Sequence, residues 1–231
     1  TQEDLEFERF QIKAVSAIEE ELDRILKTRK QSRIQTIADM VIRNYGHLDE
    51  KINFYQNLRS LEDYVSRHSL NVAILCAMIT HVMNIRREEQ YHTVCAALLH
   101  DMGKLKKHED VYFGAPYSRE DAIRNCETQE EAYSVIEDAF ATEGPAIRRI
   151  CQQAAGKQLD LFPEEGKESR YKMLEGSNVL LVANRYDEIT AMTLQGTAQS
   201  EVKEIPRHWK TSCMNCWNIR KCTTQRRFRH Y

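Results

Sequence analysis

The chain has 231 residues, 29% of them charged and 42% hydrophobic, with a formal net charge of -2, the balance of an ordinary globular protein of one large domain or a domain with an extension. Near-neutral charge excludes a molecule built to bind polyanions over its whole surface. No uninterrupted apolar run among these residues is long enough to span a bilayer, and none reads as a signal peptide. Eight Gly and four Pro are too few for a turn-rich sandwich or barrel and favour long helices. Seven Cys without a secretory signal point to a reducing, cytoplasmic setting and no disulfide framework. A start at Thr1 rather than Met leaves room for an upstream part.

Residues 5–27 read as an amphipathic helix, with Val15, Ile18, Leu22 and Ile25 recurring at helical spacing; this helix is a candidate homodimer contact or a linker to a sensor. Residues 33–45 repeat the pattern and Gly46 is a stop signal. A third helix is predicted at about 50–64, and these first helices are expected to form an N-terminal extension over residues 1–59. Residues 64–83 are apolar on most faces, as befits a central core helix. Residues 88–100 form another, with Gly103 as its expected cap. After a loop at 106–117, Ser118 and Asp121 resemble a capping box, and further helices are predicted at 128–140 and 145–155. A polar loop at 156–170 precedes a last helical pattern at 171–193. No strand pattern or internal repeat is found. The expected fold is an all-α bundle of eight or so helices, with residues 60–195 as its main domain.

Chemistry concentrates at the end of the helix at 88–100, where an apolar run finishes in His100-Asp101, followed by Gly103 and Lys104. Adjacent helical residues point about 100° apart, so such a pair approaches one ion only from a helix end. A divalent cation needs several N and O ligands from different elements. His68, early in the apolar helix at 64–83, is a candidate, because an unpartnered His there costs desolvation. Asn184 and Asp187 interrupt the last apolar helix face. The competing reading of His68, His100 and Asp101 is a hydrogen-bonded core cluster, and of Lys104 a cation at a helix C-terminus.

The segments YVSRHSLNVA (64–73), AALLHDMGK (96–104) and LLVANRYDEITA (180–191) resemble the HD superfamily of metal-dependent phosphohydrolases. The nearest likeness is to its HD-GYP branch, whose members commonly hydrolyse cyclic di-GMP in bacterial signalling. That branch shows Tyr-Thr-x-x-His-Ser, then His-Asp-x-Gly-Lys, then Ala-Asp-x-Tyr/Phe-Asp-Ala-Leu-Thr, and Tyr64, His68, Ser69, His100, Asp101, Gly103, Lys104, Ala183, Tyr186, Asp187 and Thr190 match it. The resemblance implies that His68, His100, Asp101 and the acid of the third segment hold one or two divalent ions, of Mn, Fe, Mg or Zn. The ion would activate a water as nucleophile and polarise a phosphoryl oxygen, with Asp101 and Lys104 as catalytic residues and Lys104 meeting phosphate charge. Two departures stand out. The metal-binding Asp of the third segment is here Asn184, which brings no charge. Asp187 is in that family more structural than ligating. No His occurs between His108 and His208, and the loop at 156–170 offers Asp160, Glu164 and Glu165 in place of His ligands and Gly-Tyr-Pro.

Residues 196–231 are expected to pack on the bundle as a basic, Cys-containing segment. From Ile205 to Tyr231 there is no acid, and the basic residues read as a solvated tail or as a contact for an anionic partner. His208, Cys213, Cys216 and Cys222 are a candidate zinc or iron-sulfur set, against the plainer reading of an end segment. The sequence thus supports a divergent HD hydrolase acting on a nucleotide phosphoester, including a cyclic dinucleotide. The alternative is a degenerate signalling module that binds such a ligand or a signalling protein without turnover. Nucleic-acid binding through the tail ranks third.

Overall fold

In the computed structural model, residues 2–47, 58–59, 63–106, 118–157, 172–190 and 192–193 are described. They belong to a compact unit, Thr1–Thr193; a second unit, Leu194–Tyr231, lies outside the described residues. Seven α-helices account for most of the described chain: α1 (Gln2–Thr28), α2 (Ile34–Tyr45), α3 (Tyr64–Val82), α4 (Arg87–Leu99), α5 (Arg119–Phe140), α6 (Gly144–Lys157) and α7 (Glu175–Thr190). The protein is all-α. The one β feature among the described residues is a two-residue parallel pairing of β1 (Leu58–Arg59) with β2 (Met192–Thr193).

Helix α3 is the hub and packs against α1, α2, α4 and α7. Its sequence explains this position. Leu70, Val72, Ala73, Ile74, Cys76 and Ala77 are all fully buried, and they cover more than one face. The predicted stripe of α1 is also realised, since Ile18, Leu22 and Ile25 are fully buried in the same core as α3 and α4. Each such aliphatic side chain stabilises the fold by about 1.5–3 kcal/mol relative to exposure.

Helix α2 begins without a side-chain cap of its own. Glu21, on α1 and buried, supplies one: its Oε2 accepts from the backbone N–H groups of Ser32 and Arg33, each at 2.7 Å. A carboxylate at a helix N-terminus also complements the helix dipole.

Some boundaries differ from expectation. The helix expected at 128–140 extends back to Arg119 as one long helix, α5, because the Ser118 start and the later apolar pattern lie on a single rod. The last helix spans Glu175–Thr190, shorter than expected at both ends. Gly103 does not cap α4. The cap residue is His100, and Gly103 sits inside a 3-10 segment, Met102–Lys106. Its lack of a side chain answers a close approach: a Cβ there would lie 2.6 Å from both the Thr128 carbonyl oxygen and Gln129 Oε1 of α5. The helix predicted at 50–64 lies largely outside the described residues, and where it is described it is not borne out: Leu58–Arg59 is β1, and Tyr64 already opens α3.

Candidate metal centre

His68 stands on the second turn of α3 and is fully buried. His100 ends α4, and Asp101 follows as the chain turns into the 3-10 segment. At this helix end the side-chain tips of the two neighbours come together, with His100 Nε2 3.7 Å from Asp101 Oδ1. One ligand atom from each of His68, His100 and Asp101 lies within 4.8 Å of the others, a group able to hold a metal ion.

Hydrogen bonds behind the two rings determine what they present. His68 Nδ1 donates to Asp187 Oδ2 at 2.6 Å, and the other oxygen of Asp187 accepts from Asn71 Nδ2 at 3.2 Å. His100 Nδ1 donates to the Ala97 carbonyl at 2.8 Å. A carbonyl oxygen carries no proton, so His100 carries its own on Nδ1, and in the neutral form that burial favours it offers a lone pair at Nε2. The two Nε2 atoms face each other at 3.1 Å. Asn184 Oδ1 is 3.1 Å from His100 Nε2. Asp101 Oδ2 is 3.4 Å from His68 Nε2, and Oδ1 is 3.7 Å from His100 Nε2.

Charge follows the same logic. Burial pushes His100 towards its neutral form, and the nearby His68 and Lys104 add to this against the pull of Asp101. Burial alone would push Asp101 up, but Lys104, His100 and His68 together outweigh it and hold the carboxyl well below the usual range. Polar atoms of four side chains, potential metal ligands all, therefore meet in a buried volume. Such a cluster is stabilised by a cation among them. Two imidazole nitrogens, a carboxylate and an amide oxygen suit a divalent ion, so the residues fit the metal that the sequence resemblance implies.

The surroundings hold this corner in position. Lys104, almost fully buried, donates from Nζ to Asp101 Oδ2 at 2.6 Å. Gln129 of α5 donates to Asp101 Oδ1 at 3.3 Å and accepts from the Gly103 N–H at 3.0 Å. Tyr133, one turn on, donates to the His100 carbonyl at 2.8 Å. A recess lined by His100, Asp101, Lys104, Gln129, Asn184 and Glu188, among others, opens beside the cluster.

The sequence-predicted residues thus divide. His68, His100, Asp101 and Asn184 converge, with Lys104 attached to Asp101. Asp187 reaches His68 at Nδ1, on the far side of the ring from the cluster, and acts as its orienting partner. His208, Cys213, Cys216 and Cys222 lie outside the described residues, as do His108, Asp160, Glu164 and Glu165. Sequence reasoning missed Asn71, Gln129, Tyr133 and Glu188. Asn71 carried a signal, being a polar residue three positions after His68 in an apolar helix. Gln129 and Tyr133 carried none, because only the packing of α5 brings them to the site. No helix among the described residues is long and apolar enough to cross a membrane.

A family model described as HD domain matches residues 65–191, more than half of the chain. No curated protein and no solved structure matches it.

Proposed function

The chain belongs to the HD domain family, and from that membership we propose that it is a metal-dependent phosphohydrolase acting on a nucleotide phosphoester. The observation that carries the reading is the convergence of His68 Nε2, His100 Nε2, Asp101 and Asn184 Oδ1 in one buried cluster. These four residues would hold the ion, and residues 60–195 would carry the activity. A bound divalent ion supplies Lewis acidity, which activates water as a nucleophile at neutral pH and draws charge from a phosphoryl oxygen.

The protein's own residues do the rest. Asp187 holds His68, and the Ala97 carbonyl holds His100, each with its Nε2 turned inward. The Asp101 carboxylate stays ionised beside Lys104. Lys104 lines the recess, so a phosphoryl group entering it meets the ammonium, which is favourably placed for charge developing on the ester. A cyclic dinucleotide is one substrate that this reading admits.

A second reading, ligand binding without turnover, is favoured by one observation. Asn184 is neutral and Asp101 is already paired with Lys104, so the centre has little free negative charge to attract metal. The two readings separate on metal content after purification without added metal and on turnover of a generic phosphodiester in excess manganese or iron. The hydrolase reading predicts bound metal and turnover abolished by His100→Ala. A protein that stays metal-free and inert sinks it. Asn184→Asp is expected to raise metal affinity about tenfold by restoring a ligand charge; unchanged affinity would show that residue 184 does not face the ion.

A further inference from the structure

We propose that Glu188 is a positioning residue of the metal centre, which holds the Asn184 amide with its oxygen towards the ligand cluster and sets a carboxylate charge one hydrogen bond behind it. The inference rests on the metal-centre reading above and adds a residue to it.

Asn184 and Glu188 are one helical turn apart on α7 and therefore share a face. Both are buried, at 3% and 8% exposure, and both line the recess beside His100, Asp101 and Lys104. The Asn184 Nδ2 donates to Glu188 Oε1 at 3.3 Å, while its Oδ1 lies 3.1 Å from His100 Nε2. An amide has two chemically opposite ends, and which one faces the cluster decides whether the residue can ligate. Rotated by half a turn, it would set its oxygen against the Glu188 carboxylate and its N–H groups towards the site. Glu188 disfavours that state by repulsion. Arg185 pins the carboxylate in turn, with its NH1 donating to Glu188 Oε2 at 2.8 Å. This pair is not a solvated surface bridge, since the two side chains are 11% and 2% exposed. A carboxylate accepting from an amide N–H also polarises the amide and makes its oxygen a better donor to a cation. The chain thus carries a neutral ligand whose amide is held by a carboxylate that Arg185 pins and pairs.

The test is manganese binding to the full chain, measured by calorimetry at fixed pH, with circular dichroism of the metal-free protein as a folding control. Glu188→Gln is expected to weaken manganese binding about tenfold, the range of changes behind a metal ligand. The same change in an Asn184→Asp background is expected to have the opposite sign or no effect, because two carboxylates facing each other repel. Unchanged affinity on Glu188→Gln in the wild-type background overturns the proposal. So does an equal loss in both backgrounds, which would make Glu188 a ligand or a charge acting independently of Asn184. Should Glu188→Gln fail to fold, Glu188→Asp replaces it. That variant keeps the charge but falls one methylene short of the amide, so affinity should drop, and an undiminished value overturns the proposal. Absence of manganese binding in every variant, wild type included, overturns the metal-centre reading together with this one.

Discussion

His68 shows how much a single residue's role depends on its partner. Alone on an apolar helix, a buried imidazole has no fixed tautomer and no fixed task. With Asp187 on Nδ1 at 2.6 Å, it presents Nε2 to His100 and Asp101. A residue that orients a metal ligand typically contributes 10- to 100-fold to affinity. Asp187→Asn is therefore predicted to weaken metal binding about 10- to 100-fold, read by calorimetric titration against a folding control. If affinity holds, the partner of His68 is structural only. At this scale the sequence showed the residue types but not the directions. The His-Asp pair, Gly103 and Lys104 were visible as a motif. That Asp187 lies behind a ring, and Asn184 in front of one, is set by the rotation of α7 against α3, which no local pattern encodes.

Helices were legible to the extent that their signal is local. The apolar stripe of α1 and the near-continuous hydrophobicity of α3 correspond to observed buried faces, because helical periodicity is a property of neighbours along the chain. Boundaries were less legible. The 3-10 segment at Met102–Lys106 is a response to α5 packing close against Gly103, a tertiary contact. The start of α2 is another case, since its cap comes from Glu21 on the preceding helix. Glu21→Ala is expected to cost about 0.5–2 kcal/mol, the scale of a lost helix cap. Urea denaturation measures it, and a loss below a few tenths of a kcal/mol would show that water replaces the carboxylate.

Among the described residues, four free thiols sit in the helical core: Cys76, Cys95 and Cys151 fully buried, Cys126 partly. Burial pushes all four up, Cys126 to about 11 and the others further. The unfolded chain releases these protons near its ordinary thiol value, while the native state retains them. Folding therefore binds protons above that value, and stability must fall as pH rises. The decline is predicted to begin near pH 9 and to steepen by up to about 1.4 kcal/mol per pH unit for each fully buried thiol. Denaturation midpoints from pH 8 to 10.5 measure it, and Cys76→Ala or Cys151→Ala should flatten the curve. A stability profile that stays level through pH 10 contradicts the buried-thiol account.

What the sequence determined by itself was composition-bound and local: an all-α protein, the main helices, and three short motifs in HD order. Those features depend on propensity, periodicity and a few chemically unusual residues in a row. What only the tertiary structure decided was convergence. His68 and His100 are 32 positions apart, His100 and Asn184 84, and Asn71 and Asp187 116, and their meeting depends on how α3, α4 and α7 pack. The orientation of an amide by Glu188, the tautomers imposed by Asp187 and Ala97, and the charge balance around Asp101 all follow from that packing. Each depends on distances of a few ångströms between helices remote in sequence, which the chain specifies only through the fold as a whole.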